Sequence, residues 1–134
     1  MKETMLICGA DGFIGKTALE YFKDRYNITA VLFNKDVSPR GTTEGVEYVS
    51  ADLRVESEVI DLFEMKRYDI VLQLAATTTG AKDVVERPYV HVTDNSVMNS
   101  WIFREAMRTK VGHLLFPSCT VMYQPKSHPQ SESD

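Results

Sequence analysis

The chain has 134 residues, 43% hydrophobic and 25% charged, with a formal net charge of −4. That length suits one domain with a real core, and an acidic balance without any basic block argues against nucleic acid as a partner. No apolar stretch is long enough to span a membrane, no signal peptide precedes the first strand, and Cys8 and Cys119 are too few for a disulfide framework. A cytoplasmic protein with reduced thiols and no membrane partner is therefore expected.

Thr4–Cys8 is a continuous apolar run closed by glycine, the pattern of a buried strand. Directly after it stands Gly9-Ala10-Asp11-Gly12-Phe13-Ile14-Gly15. The first glycine permits a tight turn. The second lets the backbone approach a pyrophosphate, and the third lets a new helix lie close on the strand. The amides around Gly12, Phe13, Ile14 and Gly15, with the positive end of the helix dipole, then face an anion without help from a cationic side chain. The competing reading is a turn that merely packs tightly. Lys16–Tyr26 follows as a helix with Ala18, Leu19, Phe22 and Tyr26 on one face, and Ile28–Phe33 as a second strand. Where NAD-binding folds place an acidic residue on the ribose 2′-hydroxyl, this chain has Asn34, then Lys35 and later Arg40. An amide does not repel a 2′-phosphate and the two cations can pair with it, which favours NADP over NAD. Otherwise all three are solvated residues of the loop Asn34–Gly45, which holds Pro39, Gly41 and Gly45.

Val46–Val49 is a short third strand, followed by Asp52 and Leu53. A carboxylate there can accept from an adenine amino group while Leu53 packs on the ring; it can also cap the next helix, Arg54–Met65, whose buried stripe is Val55, Val59, Leu62 and Phe63. Asp69–Leu74 is a fourth buried strand and Ala75–Lys82 a loop, in which the small residues Ala75, Ala76 and Thr77 let the backbone pass close to a cofactor or simply pack closely. Pro88 suits the first turn of a long helix, Tyr89–Lys110, with Asn95, Met98, Ile102 and Ala106 on one face beside Val97 and Trp101. A buried Asn95 must find partners in backbone groups or water near the nicotinamide side of the site. His113–Phe116 is a fifth strand, and Ser118, Cys119 and Thr120 close it with hydroxyls able to bond a substrate oxygen. The histidines lack metal-ligand spacing, so no metal is assigned. Residues 1–123 form the expected domain; 124–134 are polar and read as a surface loop or disordered end.

Strands alternating with helices mean right-handed parallel βαβ units. The expected fold is α/β, a doubly wound parallel sheet of Rossmann type in the order 3-2-1-4-5. Its topological switch point lies between strands one and four, where the glycine loop is.

Together, Gly9–Gly15, Ala51-Asp52-Leu53, Gln73-Leu74-Ala75-Ala76, Asn95 and Phe116–Tyr123 resemble the extended short-chain dehydrogenase/reductase family, the nucleotide-sugar epimerases and dehydratases. The stretch from Asn95 through Phe116 is most similar to the GDP-fucose synthase branch. The resemblance implies a domain holding NAD or NADP, a C-terminal domain holding a nucleotide sugar, and a homodimer. It also implies hydride transfer from a sugar carbon to the nicotinamide, a Tyr-x-x-x-Lys pair for the proton, and a Ser or Thr on the sugar oxygen. Two positions depart from the pattern. Cys119 stands four before Tyr123, where the family has Ser or Thr, with Ser118 and Thr120 as flanking candidates; and no tyrosine of the chain has a lysine four residues on. The resemblance therefore implies the N-terminal, cofactor-binding part of such an enzyme, without the final strands, the catalytic helix and the sugar domain. The alternative is a cofactor-binding sensor or scaffold without enzymatic activity.

Overall fold

In the computed structural model, which describes residues 1–33, 43–119 and 123–133, β1 (Thr4–Cys8) is the central strand of a five-stranded parallel sheet. Around it lie β2 (Asn27–Leu32), β3 (Glu47–Ser50), β4 (Ile70–Gln73) and β5 (His113–Leu115), in the order β3-β2-β1-β4-β5. This is the expected Rossmann-type order. Cys8 sits opposite both Val31 of β2 and Gln73 of β4, so the C-terminal ends of the three inner strands are level. The chain leaves β1 at Gly9 toward β2, and leaves β4 toward β5 on the other side. A crevice opens between these diverging exits.

Each face of the sheet has its own core. Helix α1 (Phe13–Phe22) buries Leu19 against Met5, Ile7, Ile28, Ala30 and Leu72. Helices α2 (Glu56–Met65) and α4 (Pro88–Arg108) bury Val59, Leu62, Phe63, Met98, Ile102 and Ala106 against Leu6, Val31 and Val71. Leu6, Ile7, Val31, Val59, Leu62, Val71 and Ile102 are each 2% exposed or less. Burying a side chain of this size contributes about 1.5–3 kcal/mol. Cys8 is fully buried at the heart of the sheet, and loss of solvent pushes its thiol up to about 12, which makes it a packing residue without reactivity. Among the described residues no helix is long and apolar enough to cross a membrane.

Several boundaries differ from the sequence reading. The first helix begins at Phe13 rather than Lys16, because Gly12 is already extended (φ −72°, ψ 169°) and ends the turn. It stops at Phe22 rather than Tyr26, and the Arg25 and Tyr26 amides both return to the Phe22 carbonyl. The second helix begins at Glu56, since Asp52–Val55 closes a separate turn with the Val55 amide on the Asp52 carbonyl at 2.9 Å. A short helix, α3 (Ala81–Glu86), stands where the sequence reads partly as loop; it buries no residue and so has no apolar stripe to betray it. Pro88 takes the first position of α4, as expected. Glu105 is the surprise on the buried face of α4, 1% exposed, its carboxylate accepting from Arg104 Nε at 3.1 Å and Arg108 Nε at 2.6 Å. The fifth strand ends at Leu115, short of Ser118, because Pro117 has no amide to continue the ladder and restricts the residue before it.

The starts of β1 and β4 are fastened by one carboxylate. Asp69 Oδ2 accepts from the Thr4 amide at 2.9 Å and the Thr4 hydroxyl at 2.8 Å, and these bonds hold its pKa below the ordinary 3.8. A carboxyl depressed on folding stabilises the fold above its unfolded pKa, and that contribution is lost as pH falls through the folded value. Asp69→Asn is therefore expected to lower Tm at neutral pH. The gap from wild type should close as pH drops below 3.8; melts recorded by circular dichroism across pH 2 to 7 check this, and a constant gap refutes it.

Candidate functional site

The crevice at the strand ends is a cleft of about 420 Å³, lined by the glycine loop, the ends of β2 to β4 and one side of α4. Its floor is set by a close backbone approach. Gly9 has φ +74°, and a Cβ there would lie 2.7 Å from Ala75 Cα. At Gly15 a Cβ would lie 2.1 Å from the Gly9 carbonyl oxygen. Packing alone demands glycine at both places. Gly12 is different. Its φ is ordinary, the one atom near an added Cβ is the Gly9 oxygen at 3.3 Å, and the residue lines the cleft. The fold asks less for glycine here than at Gly9 or Gly15, since a Cβ would press on one backbone oxygen without overlapping it.

Helix α1 opens at Gly12. Its bonding starts with the Lys16 amide on the Gly12 carbonyl, 3.0 Å, no side chain caps the turn, and no acidic residue stands in it. The Gly12 amide closes the turn on the Gly9 carbonyl at 3.1 Å, and the amides of Phe13, Ile14 and Gly15 suit an external anion. The Phe13 and Ile14 side chains are 91% and 57% exposed, so what they offer an anion is backbone. The residues present thus fit a diphosphate.

At the end of β4, Gln73 is buried and folds back on the chain, donating to the Ala75 carbonyl at 3.0 Å and to Asn99 Oδ1 at 2.9 Å, and accepting from the Ala75 amide at 3.2 Å. It holds the backbone of Ala75 against Gly9. Asn95 is half-buried rather than buried, and finds backbone partners in the loop. Its Oδ1 accepts from the Thr77 amide at 2.8 Å and its Nδ2 donates to the Thr77 carbonyl at 3.1 Å. The Thr77 hydroxyl donates to Asp94 Oδ2 at 3.1 Å, and Thr79 and His91 bond to each other at 2.7 Å. The loop through Ala76 and Thr77 is thereby moored to α4.

On the opposite wall, Leu53 is buried and lines the cleft. Asp52 does not cap α2, whose N-cap is Val55. Its carboxylate instead accepts from the Arg54 amide at 3.0 Å and from the Arg54 guanidinium at 2.9 and 2.8 Å, while Glu58 reaches back to the Asp52 amide at 2.6 Å. The Arg54 hydrogen bonds hold the Asp52 carboxyl below the usual range, and the same pairing pushes the guanidinium's pKa up. The sequence reads Arg54 as a helix start; the structure puts it in the cleft. Asn34, Lys35, Arg40 and Thr120 lie outside the described residues. Ser118 and Cys119 are exposed beyond β5, and neither lines the cleft. Among the described residues no cluster of ligands for a metal occurs.

The model of the NAD dependent epimerase/dehydratase family matches residues 5–134, and the chain belongs to that family. Among solved structures, the UDP-glucose 4-epimerase of Thermus thermophilus in complex with NAD is 22% identical with a TM-score of 0.82, over 97% of this chain and 43% of that one. The UDP-N-acetylglucosamine 4-epimerase of Methanobrevibacter ruminantium in complex with UDP-N-acetylmuramic acid is 20% identical with a TM-score of 0.78, over 100% of this chain and 44% of that one. A further UDP-glucose 4-epimerase, 24% identical with a TM-score of 0.71, matches over 81% of this chain and 33% of that one. At these identities the likeness establishes the fold. The chain spans less than half the length of these structures, and no curated protein matches it.

The three glycines separate by experiment. Gly9→Ala and Gly15→Ala are expected to destabilise by about 2 kcal/mol or more, through a strained φ at one and backbone overlap at both. Gly12→Ala should stay within about 1 kcal/mol of wild type. Urea unfolding of the three variants checks the ranking, and equal losses at all three refute it.

Proposed function

We propose that this chain is the NAD(P)-binding domain of a nucleotide-sugar epimerase, dehydratase or reductase. The observation that carries the reading is Gly12, the glycine of the three on which backbone and packing press least, placed on the cleft at an uncapped helix start. Membership of the family and the printed ligands of its structural relatives, NAD and UDP-sugars, support it.

When bound, the nicotinamide supplies transient storage of a hydride from a sugar carbon. The chain's own residues bind and orient. The amides of Phe13, Ile14 and Gly15 meet the diphosphate. Leu53 offers an apolar wall and Asp52 an acceptor at the adenine end. Ala75 and Ala76 let the cofactor pass close, and Asn95 keeps the Thr77 loop in place beside it. Of the hydroxyls that the family resemblance offers for the sugar oxygen, Ser118 stands away from the cleft wall and Thr120 lies outside the described residues. No residue is assigned to the proton of the sugar hydroxyl, since no tyrosine here has a lysine four residues on. That same feature favours a second reading, a sensor or scaffold whose occupied state is what a partner recognises.

The choice of NADP over NAD rests on Asn34, Lys35 and Arg40. The charged described residues lining the cleft are Asp11, Asp52, Asp94 and Arg54, an excess of carboxylates that does nothing to attract a 2′-phosphate.

Calorimetric titration with NAD and NADP tests the reading. Binding of at least one is expected, with Gly12→Val weakening it by about a hundredfold or more, measured well below its own Tm so that the loss is one of binding, because a branched side chain blocks the diphosphate's approach. Absence of heat with both nucleotides, or unchanged affinity in Gly12→Val, refutes the proposal. Sugar turnover by a protein carrying this domain separates the enzyme from the sensor.

A further inference from the structure

Arg54 lines the cleft beside Asp52 and Leu53, the wall that the proposed function gives to adenine. Its guanidinium lies over the Phe33 ring, 5.2 Å from the centroid. Nε and one terminal nitrogen reach the two oxygens of Asp52 at 2.9 and 2.8 Å, and the other terminal nitrogen reaches Asp94 Oδ2 at 3.3 Å. Phe33, Asp52, Leu53, Arg54 and Asp94 line one cleft. The arginine side chain is 40% exposed, so its place is set by these contacts rather than by enclosure in the core. An adenine base needs two things from this wall: a flat surface to stack on and an acceptor for its exocyclic amino group. The guanidinium, itself planar and rich in N–H donors, already takes both.

We infer that Arg54 is a specificity-determining residue of the adenine seat, its guanidinium holding the place of the base and yielding Asp52 and Phe33 to an incoming adenine. The inference rests on the dinucleotide reading above. It gives the seat a selection rule. A base with an amino donor replaces what Asp52 loses, whereas hypoxanthine presents a carbonyl there and leaves the carboxylate with its arginine. It also reverses the sign expected from charge. Removing a cation near a diphosphate ordinarily weakens binding; removing a competitor strengthens it.

The test is calorimetric titration of ADP-ribose into the wild-type chain, Arg54→Met and Arg54→Lys, with NAD titrated into wild type alongside. Arg54→Met is expected to bind ADP-ribose about tenfold tighter, the combined worth of a partly exposed ion pair and a ring contact. Arg54→Lys, which keeps the charge but loses the planar fork, should fall between and stands as the test should the methionine variant not fold. In ¹⁵N spectra of wild type, the Arg54 Nε–H signal, identified by its loss in Arg54→Lys, should move on ADP-ribose addition. Equal or weaker ADP-ribose binding by the variants, or an Nε–H signal that stays in place in the complex, overturns the inference while NAD binding by wild type leaves the dinucleotide reading standing. If wild type binds neither nucleotide, that reading fails and the inference with it.

Discussion

The site depends on one steric constraint, the contact between the backbone of Gly9 and that of Ala75. The two strands they end, β1 and β4, are neighbours in the sheet but send the chain to opposite faces. Their exits diverge, and a crevice is what the divergence leaves. Its depth is fixed by how nearly the two backbones meet, and any side chain at Gly9 would overlap Ala75. Gln73 holds the Ala75 side of the contact and Gly15 lets α1 settle on the Gly9 side. The turn is thus over-determined from three directions, the circumstance in which a left-handed backbone persists.

Around this floor the polar groups are arranged to moor loops. Asn95, Asp94 and His91, all on α4, take up the hydrogen-bonding groups of Thr77 and Thr79. On the far wall Arg54, held by Asp52, ties the turn ahead of α2 to the same Asp94. Helix α4 therefore braces both walls, and it can do so because Met98, Ile102 and Ala106 fix it on the sheet. Buried Glu105 fits the same logic. Its two arginines are about half exposed, so the cations remain hydrated while the carboxylate receives their N–H groups, which lowers the desolvation cost of a buried charge.

The legible parts of the sequence were those whose signal is local. The apolar run Thr4–Cys8 and the glycine spacing after it fix strand, turn and helix within a short stretch of chain, and the alternation of strands and helices then yields the sheet order. The amide of Asn95 announced itself as a polar group on an apolar stripe, and its need for backbone partners was met. Helix α3 escaped because it packs no stripe. Glu105 escaped because a charge at a core position breaks the pattern that would reveal it. Arg54 escaped for a third reason: its partners Phe33 and Asp94 lie 21 and 40 positions away in the chain, and only the sheet order brings them together. The clearest guide to Gly12 was likewise spatial, since sequence presents three like glycines and the structure shows that two are required by packing.

An acidic chain with carboxylates in its cleft is at first sight a poor host for a diphosphate. The decisive quantity is local. Exposed charges separated by more than about 8 Å are largely screened at physiological salt, so the net charge of −4 acts weakly at the helix start. The dipole of α1 places about half a positive charge there, and the amides deliver it as aligned hydrogen bonds. Asp52 and Asp94 share Arg54, which offsets one of their two charges. Offsetting part of that charge with an arginine that stays on the wall, rather than with a cation aimed at the phosphates, leaves the anion seat to the backbone. A seat of that kind has a fixed shape, and shape at Gly12 then decides what can enter.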